Sequence, residues 1–335
     1  MHRLGRTIEE LARARQQWLR LFDLVPAGRA EVKGPLVEVA GFGSNPGNLR
    51  MHVFVPPVLK AHPALVVALH GCGQSPAQYE QRAGWCDLAA GHGFLVCYPQ
   101  QQEANNSQSC FNWFSPRRRQ RDGAEAVSIR EMIGHLSKLH AVDPARIFIT
   151  GFSAGGAMSA ALLVAYPDVF AAGAVIAGLP VGVADTVPAA IEAMQKGDLR
   201  TGPQAAAAVR LEAPEVSQWP RLLVWHGLSD EVVAPSNAVA LVRQWRHLQG
   251  LRAIPDDELW MVGGRRRCIW RNAKGRDVIE HHIVAGLGHM LVPSSTEAIA
   301  EFFGLKRPNL VGRLLEKWTR LTDMPIIFVR RSRDP

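Results

Sequence analysis

The sequence predicts an α/β fold: a doubly wound, mostly parallel sheet with helices on both faces and an antiparallel edge. Short, continuous apolar runs such as residues 64–69 and 171–177 are typical of parallel strands buried on both faces. Helical patterns alternate with these runs along the chain, as in a doubly wound sheet. With 335 residues, 47% of them hydrophobic, the chain can form one large domain.

Residues 1–35 precede the main domain and contain an amphipathic helical pattern at 7–22, followed by a linker. The main domain is predicted to span 36–304. Its first strands, 36–39 and 49–55, alternate apolar and polar residues and are predicted to form the antiparallel edge. The later predicted elements are strand 64–69, helix 78–91, strand 94–98, helix 122–139, a strand ending at Gly151, a helix ending at Tyr166, strand 171–177, strand 221–225, helix 235–248, irregular strands within 259–270, strand 278–284 and helix 294–303.

Two segments depart from this alternation. Residues 181–219 are alanine-rich and are interrupted by prolines, and we interpret them as a helical insertion near the mouth of the site, a partial lid, or as a simple crossover. Residues 305–335 form a basic tail in which Leu, Val and Trp alternate with Lys and Arg. The tail is expected either to dock as a helix on the domain or to contact a membrane or a coated hydrophobic particle.

Composition and charge argue against several classes of protein. The net charge of +8 occurs in clusters, which indicates contact with an anionic surface rather than a nucleic-acid-binding protein. No apolar run approaches the length of a transmembrane helix, and residues 1–21 lack the pattern of a secretory signal. The five cysteines include no C-x-x-C and no zinc-like spacing, so we expect no metal and no cofactor. The oligomeric state is left open.

The segment from Gly151 to Gly155 reads G-F-S-A-G at a predicted strand-to-helix turn. This pattern is typical of a nucleophile elbow, in which Ser153 projects from the carboxyl end of the strand. The two glycines lack Cβ atoms that would collide where strand and helix approach each other. The N–H of Ala154 begins the helix, where partial positive charge can stabilise an oxyanion. A turn whose serine only caps the helix is the alternative.

A serine nucleophile needs a base and a third group that holds the base. Asp230 and His289 each follow a predicted strand, and the order Ser, Asp, His is that of the α/β-hydrolases. We therefore predict Ser153 as nucleophile, His289 as base and Asp230 as its orienting acid. His226 comes too early in this order and is interpreted as structural, and Glu231 is the leading alternative to Asp230.

Two further sets of residues are candidates for contact with a substrate. The turn at 70–73 closes the first central strand, and the N–H of Cys72 is predicted as a second oxyanion donor, with a plain tight turn as the alternative. The long polar segment 100–121 carries aromatic residues and an arginine run that we interpret as a solvated rim. The residues predicted to hold an acyl or polymer chain, unless they only fill a satellite core, are Phe111, Trp113, Phe114 and Trp270.

Several blocks of sequence resemble one family of esterases. The distinguishing blocks are His70-Gly-Cys-Gly-Gln74 and Cys110-Phe-Asn-Trp-Phe114, and they agree with the blocks around Ser153, Asp230 and His289. Together they resemble the polyhydroxybutyrate depolymerase family, which also includes feruloyl and acetylxylan esterases. The resemblance implies cofactor-free hydrolysis of carboxylic esters, foremost short-chain polyhydroxyalkanoate or its oligomers, through a Ser-His-Asp triad and an acyl-enzyme.

The resemblance also implies a disulfide between Cys72 and Cys110 and an extracellular location, although no signal peptide is visible. A cytoplasmic protein that acts on storage granules is the alternative location. Two alternative functions stay open: a feruloyl or acetylxylan-type esterase, and a non-catalytic protein whose basic tail binds an anionic or polyester-granule surface.

Overall fold

The computed structural model describes residues 35–261 and 263–306. The helix predicted at 7–22, the linker after it and the basic tail beyond residue 306 lie outside the described residues. None of the described helices combines the length and the hydropathy of a membrane-spanning segment.

A ten-stranded sheet forms the centre of the described protein. In chain order its strands are β1 (Val37–Val39), β2 (Arg50–Phe54), β3 (Leu65–Leu69), β4 (Leu95–Gln100), β5 (Ile147–Phe152), β6 (Ala172–Ile176), β7 (Arg221–Gly227), β8 (Asp257–Met261), β9 (Arg265–Arg271) and β10 (Asp277–Val284). Their order across the sheet is β1-β2-β4-β3-β5-β6-β7-β10-β9-β8. The central strands from β4 to β10 are parallel, and antiparallel strands flank them at both edges. The predicted doubly wound sheet is confirmed, with a second antiparallel edge.

Helices cover both faces of this sheet. Those in the described residues are α1 (Pro76–Ala83), α2 (Trp85–His92), α3 (Pro116–Arg119), α4 (Ala124–His140), α5 (Ala154–Ala165), α6 (Val187–Lys196), α7 (Gly202–Glu212), α8 (Ser236–Leu248) and α9 (Pro293–Phe303). Side chains of β3 alternate between two cores, with Val67 in one and Val66 in the other. Apolar residues of α4 to α8 complete the first core, and those of α1, α2 and α9 complete the second. Both faces of the central strands are therefore buried, which explains their continuous apolar runs.

The predicted single helix 78–91 is wrong, because the structure divides this segment into α1 and α2. Gly84 lies between them with a φ of +72°, a left-handed conformation that ends α1. The carboxylate of Glu80 accepts hydrogen bonds from the N–H groups of Trp85 and Cys86, at 3.0 and 2.8 Å, and so holds the first turn of α2. The glycine, and not the apolar periodicity, was the signal for this break.

The segment 181–219 connects the neighbouring parallel strands β6 and β7, so it occupies the place of a crossover. The side-chain amide of Gln244 in α8 donates to the carbonyls of Val181 and Ala205, at 2.9 and 3.0 Å. An ion pair between buried Arg119 of α3 and partly buried Glu212 of α7 connects the segment to the loop 100–121. Arg119 is therefore not part of a solvated rim, as the arginine run suggested. The role of the segment as a lid stays a prediction.

Candidate active site

The carboxyl ends of four parallel strands bring the candidate catalytic groups to one edge of the sheet. Cys72 follows β3, Ser153 follows β5, Asp230 follows β7 and His289 follows β10. Because these strands are parallel, their following loops all leave the sheet at the same edge. In open α/β sheets this edge is where ligands bind.

Ser153 lies at the tip of a sharp turn between β5 and α5. Its φ of +56° and ψ of −119° are unusual for a residue with a side chain, and such backbone strain is commonly found at functional sites. The N–H of Ser153 donates to the carbonyl of Ile176 on the next strand, at 2.9 Å. A Cβ on Gly151 would lie 2.2 Å from the carbonyl oxygen of Gly155. The turn therefore closes only because glycine stands on that side of the serine.

Three side chains form a continuous chain of polar contacts at this turn. The Oγ of Ser153 lies 2.9 Å from Nε2 of His289, and Nδ1 of His289 lies 2.8 Å from Oδ2 of Asp230. The ring of Phe152 packs against the imidazole with 4.7 Å between ring centroids. In this arrangement the hydroxyl can donate its proton to the imidazole, while the carboxylate holds the opposite ring nitrogen.

The carboxylate of Asp230 is buried and surrounded by hydrogen-bond donors. Its Oδ1 accepts from the N–H groups of Val232 and Val233, at 2.9 and 2.8 Å. Nε2 of His226 lies 3.1 Å from Oδ2. Burial alone would raise the pKa of Asp230, but hydrogen bonds from His226 and His289 outweigh it and hold this pKa well below its usual range. Asp230 is therefore ionised at neutral pH.

The loops that carry Asp230 and His289 are bonded to each other. The N–H of Ser229 donates to the carbonyl of Leu287 at 3.0 Å, and that of Leu228 donates to the carbonyl of Val284 at 2.9 Å. A Cβ on Gly227 would lie 2.1 Å from the carbonyl oxygen of Leu287. Glycine at the end of β7 thus allows the second loop to approach, which brings the imidazole to the carboxylate.

The two backbone amides predicted as oxyanion donors belong to Cys72 and Ala154. Ala154 is the first residue of α5, so its N–H has no acceptor within the helix. The N–H of Cys72 donates to no described residue, whereas its neighbours are occupied: Gly71 donates to Oε1 of Gln74 and Gly73 to the carbonyl of Gln108, at 2.9 and 2.8 Å. Both amides thus lack a hydrogen-bond acceptor among the described residues, and their role as an oxyanion hole stays a prediction.

A disulfide and the hydrogen bonds of a buried histidine hold the turn that carries Cys72. A disulfide joins Cys72 to Cys110, the pairing that the family resemblance implied. His70, which the sequence did not single out as a support, is buried and has Nδ1 2.7 Å from the carbonyl of Gly71, while its Nε2 accepts from the N–H of Gln101 at 3.0 Å. Burial lowers the pKa of His70 to about 4, so its imidazole is neutral near pH 7.

The four aromatic residues predicted to hold a substrate chain all lie inside the protein. Phe111, Trp113, Phe114 and Trp270 expose between 0 and 8% of their surface and belong to the core on the α4 to α8 face. The ring of Phe111 packs against that of His70, with 5.0 Å between centroids. Packing beneath the loop was the alternative left open by the sequence, and direct contact with a substrate stays a prediction.

Two apolar residues close in sequence to Asp230 and His289 are exposed, and they were not recognised in the sequence. Leu228 exposes 57% of its surface two residues before Asp230, and Met290 exposes 45% directly after His289. Scattered exposed apolar residues are common, but these two adjoin two members of one site. They are therefore candidates for contact with an apolar substrate.

Glu231, the alternative to Asp230, and the two histidines of β10 do not take part in these contacts. Glu231 is exposed and its neighbour Asp230 makes the contact with His289. His281 and His282 are buried within β10, and Nε2 of His282 lies 2.9 Å from Oε2 of Glu280.

A parallel sheet of this order, with serine, histidine and aspartate converging at its carboxyl edge, defines an α/β-hydrolase with the arrangement of a serine hydrolase. Comparison with known proteins agrees. The family described as esterase PHB depolymerase matches residues 49–260, and the chain belongs to this family.

Two relatives and one solved structure are similar to this chain. Poly(3-hydroxyalkanoate) depolymerase C of Paucimonas lemoignei is 41% identical over 258 residues, which cover 76% of this chain and 61% of the depolymerase. Feruloyl esterase B of Talaromyces funiculosus is 30% identical over 278 residues, covering 81% and 77% of the two chains. The solved structure of acetyl xylan esterase from Aspergillus awamori superimposes with a TM-score of 0.73 at 26% identity, covering 82% of this chain and 100% of that one.

Proposed function

We propose that this protein is a serine esterase that cleaves carboxylic esters through an acyl-enzyme on Ser153. The observation that carries the proposal is the chain of contacts from Ser153 through His289 to Asp230, with distances of 2.9 and 2.8 Å. Family membership supports the same chemistry, since the family comprises esterases. The chain spans only 61% of the length of the depolymerase, so the proposal rests on the geometry of its own site and not on that enzyme's whole activity.

In the acylation step, Nε2 of His289 accepts the proton of the Ser153 hydroxyl while Oγ attacks the ester carbonyl carbon. The N–H groups of Cys72 and Ala154 hold the negative oxygen of the tetrahedral intermediate. One such donor is worth about 10² to 10³ in kcat. The carbon–oxygen bond to the alcohol then breaks, and the alcohol leaves with the proton from His289.

In deacylation, His289 takes a proton from water, and the resulting hydroxide attacks the acyl carbonyl. The second tetrahedral intermediate uses the same two amides. Its collapse releases the acid and returns the proton to Ser153. In both steps the ionised carboxylate of Asp230 stabilises the imidazolium and keeps its Nε2 directed at the serine.

For the substrate we propose short-chain polyhydroxyalkanoate or its oligomers. The 41% identity to a poly(3-hydroxyalkanoate) depolymerase supports this class, and the exposed apolar side chains of Leu228 and Met290, close in sequence to Asp230 and His289, suit an aliphatic polyester chain. A feruloyl or acetylxylan-type ester is the second candidate, favoured by the match to the whole chain of an acetyl xylan esterase.

A panel of purified substrates tests both candidates. We expect the highest kcat/KM on 3-hydroxybutyrate oligomers and lower values on feruloyl and acetylxylan esters, and the reverse ranking would favour the second candidate. Ser153→Ala should fold normally yet take up no organophosphate and hydrolyse none of the esters. Labelling of a different serine in the wild-type protein would refute the assignment of the nucleophile.

We also propose that the protein works in an oxidising compartment, outside the cytosol. The disulfide between Cys72 and Cys110 supports this location, because cytosolic thiols are kept reduced. Denatured, unreduced protein should show three free thiols, those of Cys86, Cys97 and Cys268. Five free thiols in protein isolated from its native source under alkylating conditions would contradict the proposal.

A further inference from the structure

Strand β7 carries a second histidine that reaches the carboxylate of the triad. His226, near the end of β7, has its Nε2 3.1 Å from Oδ2 of Asp230. This is the same oxygen that lies 2.8 Å from Nδ1 of His289. Nε2 of His226 also lies 2.9 Å from the carbonyl oxygen of Val233. The side chain of His226 is 2% exposed, so water does not replace these contacts.

The partners of His226 determine which of its ring nitrogens carries a proton. A carbonyl oxygen only accepts hydrogen bonds, so the contact with Val233 requires a proton on Nε2. His226 therefore directs the N–H of its Nε2 toward the carbonyl oxygen of Val233 and Oδ2 of Asp230. This holds whether or not Nδ1 also carries a proton. A positive dipole beside a carboxylate oxygen stabilises its negative charge.

These contacts connect the acid loop to the middle of the sheet. Val233 donates its N–H to Oδ1 of Asp230, and its carbonyl accepts a hydrogen bond from His226. Both backbone groups of Val233 therefore help to hold the loop 230–233 in place. His226 belongs to β7, which pairs with β6 on one side and β10 on the other. A strand bonded on both sides is a rigid support for this histidine.

We propose that His226 is a positioning residue of the triad, which holds Oδ2 of Asp230 in the place from which it orients His289. The inference rests on the proposed function, since it assumes Ser153-dependent ester hydrolysis. Without His226, Oδ2 keeps only His289 as a side-chain donor among the described residues, and the loop 230–233 loses a bond to β7. The unshared oxygen then attracts the imidazole proton more strongly, and the imidazole is held less exactly toward Ser153.

Among the described residues, three titratable groups lie near His226. Asp230 contacts it directly, His289 from the loop after β10 contacts Asp230, and His281 lies on the neighbouring strand β10. Burial lowers the pKa of His281 to about 3, so it is neutral near pH 7. His281 is buried like His226 but bonds to no triad residue in the described part of the chain. It is therefore a matched control for the loss of a buried histidine.

Three variants test the inference: His226→Gln, which keeps an N–H donor near the position of Nε2, His226→Phe, which removes it, and His281→Phe as the control. Steady-state kinetics on p-nitrophenyl butyrate, with active sites counted by organophosphate titration, would be measured across pH. We expect His226→Phe to lower kcat about tenfold or more at little changed KM, the loss of one hydrogen bond to a charged group. The acidic limb of its kcat/KM profile should move to higher pH. His226→Gln should recover most of kcat, and His281→Phe should match wild type per active site.

A purely structural role for His226 would reduce the number of active sites but leave kcat per site and the acidic limb unchanged, and this result would overturn the inference. If His226→Phe does not fold, His226→Asn replaces it, because its shorter side chain does not reach Oδ2 and is expected to lose kcat in the same way. Ser153→Ala measured in parallel separates the two claims. Turnover by Ser153→Ala would refute the proposed function. An inactive Ser153→Ala together with wild-type kinetics in both His226 variants would refute only the role of His226.

Discussion

Replacing Gly155 with alanine would put a methyl group where the backbone leaves no room for it. The added Cβ would lie 2.3 Å from the carbonyl oxygen of Leu69 and 2.4 Å from that of His70. Real Cβ contacts begin near 3.0 Å, so α5 and the end of β3 must separate by about 0.7 Å. Because both obstructing atoms belong to the backbone, no side-chain rotation relieves the clash.

The separation acts directly on the oxyanion donors, since Ala154 stands at the start of α5 and Cys72 follows β3. A misplacement near 1 Å costs about 10²-fold in rate, and losing one oxyanion donor costs about 10² to 10³. We therefore expect Gly155→Ala to lower kcat about 10²-fold. Overpacking of this kind also lowers the free energy of unfolding by about 1 to 3 kcal/mol.

The assay is kcat on a soluble ester, normalised to folded protein by circular dichroism, with unfolding in urea measured alongside. Gly134→Ala is the matched control, because Gly134 lies inside α4 and its added Cβ would meet only the end of the Arg130 side chain, at 3.5 Å. The control should gain about 0.5 to 1 kcal/mol of stability and keep wild-type kcat. Wild-type kcat in folded Gly155→Ala would refute the role of the Cys72 and Ala154 amides as oxyanion donors.

Three further predictions concern stability. Cys110→Ser should lower the free energy of unfolding, measured in urea, by about 4 kcal/mol by the chain-entropy estimate, and should also lower kcat because the turn at Cys72 is released. An unchanged kcat in the folded variant would contradict this. Lowering the pH below 6.5 should lower the free energy of unfolding, because the pKa of buried His281 is about 3 in the folded protein and the unfolded chain therefore binds the proton first. In His281→Phe the free energy of unfolding should depend less on pH in this acidic range. Glu212→Gln should cost about 3 kcal/mol by leaving Arg119 buried without its partner, and Arg119→Met in the same chain should restore most of it, as measured by a double-mutant cycle.

Much of the fold was predictable because its signals are local. A strand buried on both faces needs a continuous apolar run, and β3 shows this in five consecutive buried residues. The turn at Ser153 was predictable for a similar reason, since Gly151 and Gly155 are required by contacts within a few residues of the serine or with the adjoining strand. The break between α1 and α2 at Gly84 was missed because helical periodicity continues across it.

The parts that escaped prediction depend on groups far apart in the chain. His226 was set aside because chain order excluded it as the base, yet order says nothing about which side chain lies beside Asp230 after folding. The spacing of four residues at the end of a strand was the one available signal. Likewise, the aromatic residues of the segment 100–121 could be assigned to a groove or to a core, and only the disulfide and the packing on His70 determine that they lie inside.

The contrast between those buried rings and the exposed Leu228 and Met290 determines where substitutions of this protein are tolerated. Truncating a core aromatic costs about 3 to 5 kcal/mol, so libraries aimed at Phe111 or Trp113 would be dominated by misfolded clones. Exchanges at solvent-facing positions are mostly near neutral for stability. Substitutions at Leu228 and Met290 should therefore be tolerated far better than substitutions of the buried rings.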